Sequence, residues 1–118
     1  MKLGKVTQTV RKRSVLKQLK SKRQEIFPDM TVEETCWGMK PGEGESILLA
    51  EAVRYGNQKD LGVYAIAAAA NDLAAHGASV VGVSARIMLT AYAYESRLKA
   101  MIAEMEQAAE EQRFQIAD

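Results

Sequence analysis

Asn71 and Asp72 stand side by side inside an otherwise small and apolar run, Tyr64-Ala-Ile-Ala-Ala-Ala-Ala-Asn-Asp-Leu-Ala-Ala-His-Gly. Asn and Asp are poor residues for a helix interior, because their side chains compete for backbone hydrogen bonds. Among alanines, Asp72 is expected to be partly buried, and a buried carboxylate is costly unless it is paired, hydrogen-bonded or bound to a cation. Hard oxygen ligands of this kind suit magnesium, which takes one or two carboxylates together with phosphate oxygens. The same residues equally allow a plain reading, in which both face solvent or help to end the helix. Chemistry alone divides about evenly between the two.

The remaining reactive side chains point to structural roles. Cys36 sits beside acids, and an inert thiol is expected there rather than a nucleophile. His76, just before Gly77, fits a helix end, where a cation is favoured. Trp37 and Tyr64 read as core or interface anchors, and the methionines near the carboxy terminus as core filling. Between Lys2 and Arg23 the basic residues meet no acid, whereas Glu104, Glu106, Glu110 and Glu111 gather late in the chain. The basic run has no interleaved aromatics and reads as a solvated face, so nucleic acid is not an expected partner.

These residues sit in a chain of 118 residues, the size of one domain. A net charge of +1 removes any global electrostatic case for nucleic acid or membrane. A single cysteine excludes an internal disulfide and suits a reducing compartment. No membrane span or secretory signal is evident, and the expected location is cytoplasmic.

The elements that must position Asp72 follow from periodicity. A first helix is expected over residues 7–20, with a thin apolar stripe. A short strand is expected over 31–37, followed by a turn-rich connector through Gly38, Pro41, Gly42 and Gly44. Residues 46–53, Ser-Ile-Leu-Leu-Ala-Glu-Ala-Val, form a short apolar run that reads as a strand buried on both faces. Asp60 is placed to N-cap a helix running to His76, with Gly77 as its left-handed end. Residues 79–90 alternate, with Val81, Val83, Ala85, Ile87 and Leu89 on one face. A last helix over 94–112 places Leu98, Met101, Ile102, Met105, Ala108 and Ala109 at helical spacing, and a strand begins at Phe114. The fold expected is α+β, a small mixed sheet with helices on one face and the other face left for a partner. Asp118 falls in mid-strand on this reading, so a longer protein is expected.

The segment Lys59-Asp-Leu-Gly-Val-Tyr-Ala-Ile-Ala-Ala-Ala-Ala-Asn-Asp-Leu-Ala-Ala-His-Gly-Ala resembles the central helix of the aminoimidazole ribonucleotide synthetase superfamily. That group includes selenophosphate synthetase, thiamine-monophosphate kinase and a hydrogenase maturation factor. Gly4-Lys5-Val6 before a helix resembles the start of the hydrogenase-maturation-like, synthetase-related branch, and Gly42-Glu-Gly-Glu-Ser-Ile-Leu-Leu a strand of the family.

The resemblance implies ATP and magnesium bound in a cleft between two domains, with amino-terminal domains pairing through their sheets into a β-barrel homodimer. It implies phosphoryl transfer to a small acceptor, catalysed by positioning and charge neutralisation. Residues 1–118 correspond to the amino-terminal domain alone, the carboxy-terminal domain being absent from this chain. Carried over by position, Asp72 is a magnesium ligand beside Asn71, Glu34 matches one acid of the family's acidic loop, and Glu51 stands where a further acid falls. The chain departs from the pattern in that loop, Thr31-Val-Glu-Glu-Thr-Cys, where Glu33 replaces a glycine and Thr35 an aspartate. Glu51, in Leu49-Ala-Glu, replaces the aspartate of a Ser-Thr-Asp. A glutamate in place of a phosphate-facing glycine adds bulk and like charge. The alternative is therefore a dimerisation module of the same fold that has lost its site.

Overall fold

The computed structural model describes residues 5–27, 36–56, 60–90 and 93–117. Helix α1 (Gln8–Ser14) starts at Thr7, whose hydroxyl accepts a hydrogen bond from the Val10 amide at 3.2 Å. It is shorter than the expected 7–20. The chain leaves the α-helix at the β-branched Val15 and makes a single 3-10 turn, Leu16–Gln18. A stripe of only a few apolar residues gives a longer helix little tertiary support. Strands β1 (Ile26–Phe27) and β2 (Gly38–Met39) pair antiparallel, Ile26 opposite Met39 and Phe27 opposite Gly38. The strand expected over 31–37 falls mostly outside the described residues.

Helix α2 (Leu61–Ala75) begins directly after Asp60, as expected, although the Asp60 side chain makes no capping hydrogen bond. Its end matches the expectation closely. Gly77 adopts φ +77°, the Gly77 amide donates to Ala74, and the Ala78 amide donates to Leu73. This paired bonding satisfies carbonyls that the helix end would otherwise leave open. Helix α3 (Glu95–Gln112) ends on a non-glycine residue in the same left-handed region, Arg113 with φ 61°.

The core is built around α3, which packs against both α1 and α2. Leu98, Met101, Ile102, Met105, Ala108 and Ala109 are all buried, as their spacing predicts, and Phe114 and Ile116 join them. Each large apolar side chain buried here contributes roughly 2 kcal/mol. Helix α2 contributes one fully buried residue, Ile66, and approaches α3 closely at Gly62. A Cβ at Gly62 would come within 2.9 Å of Met105 Cγ.

The expected long strand over 79–90 shortens to β3 (Gly82–Val83), which pairs parallel with β4 (Gln115–Ile116). Its alternation nevertheless persists. Val83, Ala85, Ile87 and Leu89 pack half-buried on the core, while Ser84, Arg86, Met88 and Thr90 are exposed. Residues 46–53 depart from expectation. They form no strand, and Leu49 is 91 % exposed. An apolar run becomes a buried strand only where neighbours cover it, and among the described residues no strand pairs with this one. Among the described residues the architecture is thus α+β with two small two-stranded sheets.

Candidate functional site

Asn71 and Asp72 lie in the last part of α2, and both are exposed. The expectation that Asp72 is partly buried is corrected. The alanines around it are mostly half-exposed rather than enclosed, because α2 meets the core through its first half, at Gly62, Val63 and Ile66. With its carboxylate in solvent, Asp72 needs no internal partner. Its backbone carbonyl accepts a hydrogen bond from His76 Nδ1 at 3.0 Å, so the histidine helps to close the helix end, in keeping with its position before Gly77.

Glu51 lies in the extended run ahead of α2 and is also exposed. Glu34 and the altered loop around it fall outside the described residues. Among the described residues, no three His, Cys, Asp or Glu side chains gather as a metal-ligand set. The donor types of Asp72 and Glu51 fit a hard cation, since both are carboxylates open to solvent. Cys36 is exposed and unbridged, and no helix among the described residues is long and apolar enough to cross a membrane.

A polar seam along α3 was not foreseen from the sequence. Arg13 donates two hydrogen bonds to the Glu95 carboxylate, and the buried Ser14 hydroxyl donates a third. The Arg13 contacts, followed by that of Ser14, hold the Glu95 carboxyl down to about 2. Further along, the Ser21 amide donates to Glu106 Oε2 at 3.0 Å and the Ser21 hydroxyl donates to the same oxygen. Arg23 pairs with Glu25 at 2.7 Å, holding that carboxyl below its usual range, and also donates to the Arg113 carbonyl. The partners of Glu95 and Glu106 lie more than 80 residues away in the chain, and the segregation of early bases from late acids was their only trace in the sequence. The outward side of the basic segment is the solvated face expected, with Lys12, Lys17 and Lys20 exposed.

A groove of about 380 Å³ lies between residues 21–23 and the end of α3, lined by Lys22, Arg23, Arg113 and Phe114 among others. Its cations sit where the partial negative charge of the α3 carboxy terminus favours them, which accounts for them structurally.

Glu51, Asn71 and Asp72 all lie in the part of the chain that a family model matches. The sequence model for the AIR synthase related protein, N-terminal domain, matches residues 42–117, well over half of the chain. This chain belongs to that family. No curated protein and no solved structure matches it. The AIR synthase-related region therefore spans α2, β3, α3 and β4, whereas α1, β1 and β2 precede it.

Proposed function

We propose that this AIR synthase-related domain is the nucleotide-handling half of an ATP-dependent phosphoryl-transfer enzyme, in the branch nearest the hydrogenase maturation factors. In this reading it acts in the cytoplasm, and a carboxy-terminal domain closes the cleft. The supporting observation is that Asp72 and Glu51, the acids carried over from the family, lie inside the family match and are both open to solvent, Asp72 on the helix that most resembles the family. Asp72 and Glu51 would hold magnesium, with Glu34 as a further acid and Asn71 offering an amide to the nucleotide. Bound magnesium would neutralise charge on the phosphates of ATP as the phosphoryl group moves. The chain's own part is positioning. Helix α2 ends in a fixed glycine turn and carries Asn71 and Asp72 at a set height on a rigid rod.

The test is calorimetric titration of magnesium-ATP into the parent chain and into Asp72→Ala. The variant should bind at least about tenfold more weakly, a loss of about 1.4 kcal/mol. Its melting temperature should hold or rise slightly, because alanine is the better helix former at an exposed position. Equal losses of binding and stability would make Asp72 a structural residue.

A second reading, a homodimerisation module without catalysis, draws on the altered loop at Glu33 and Thr35 and on the uncovered apolar residues of 47–55. A stable dimer that gives no heat with magnesium-ATP would favour it.

A further inference from the structure

We draw no further inference here: the strongest candidate, the exposed apolar ribbon of Ile47, Leu48, Leu49, Val53 and Tyr55 ahead of α2, belongs to the pairing already proposed, and nothing in the structure shows what else covers it.

Discussion

Glu95, at the start of α3, ties that helix to Arg13 and Ser14 of α1. Three hydrogen bonds from Arg13 and Ser14 favour its ionised form, so its carboxyl titrates at about 2 in the folded chain. An unfolded glutamate titrates near 4.3. The group is depressed on folding, so its stabilisation is complete above the unfolded value and is lost as pH falls from there toward 2. Glu95→Gln should therefore flatten the acid limb of the stability curve between about pH 4.5 and 2, followed by thermal melts across that range. An unchanged acid limb would mean that the Arg13 contact is too solvent-screened to matter. Asp72 makes the opposite case. Its place on a helix was legible from the alanines around it, but its exposure was not, because a small apolar neighbour does not say whether anything lies against it.

At the scale of elements, the helices were legible and the strand pairings were not. Helix α2 declared its end through Gly77, and α3 declared its buried face through a regular spacing of large apolar residues. Both signals are local. Residues 46–53 send the same composition signal as a buried strand, yet burial depends on a covering surface that the run itself does not encode. Leu49 offers the clean test, since at 91 % exposure it gives little to the single chain. Leu49→Glu should leave monomer stability within about 0.5 kcal/mol while abolishing any dimer detected by light scattering. A dimer that tolerates this glutamate would move the proposed pairing to another surface.

The whole molecule is larger than its family region. Residues ahead of position 42 supply Val10, Val15 and Leu19 to the core and tie Ser14 and Ser21 to carboxylates of α3. Deleting residues 1–24 would expose those apolar contacts and strip the buried Glu106 of both its Ser21 hydrogen bonds. Leaving a buried acceptor without its hydrogen bonds costs about 1–3 kcal/mol, a large share of a small domain's stability once the lost apolar contacts are added. Urea titration should accordingly show the shortened chain near or past its unfolding threshold. A midpoint equal to that of the full chain would make the amino-terminal segment dispensable. The family was legible from one helix. The polar seam was not, because a hydrogen bond between residues 81 apart leaves no periodic mark in a sequence.

The clasp between β3 and β4 has a kinetic meaning. The amides of Gln115 and Ala117 donate to Val81 and Val83, so the segments before and after α3 are joined by one short parallel ladder. Neither amide can meet water unless that ladder parts, and parting it withdraws Phe114 and Ile116 from the core. Exchange at these two positions is thereby coupled to the withdrawal of Phe114 and Ile116 from the core. In deuterated solvent they should be among the last amides to exchange, at the same rate as the buried middle of α3. Exchange of Gln115 well ahead of Met105 would instead mark the ladder as a separate, weaker unit.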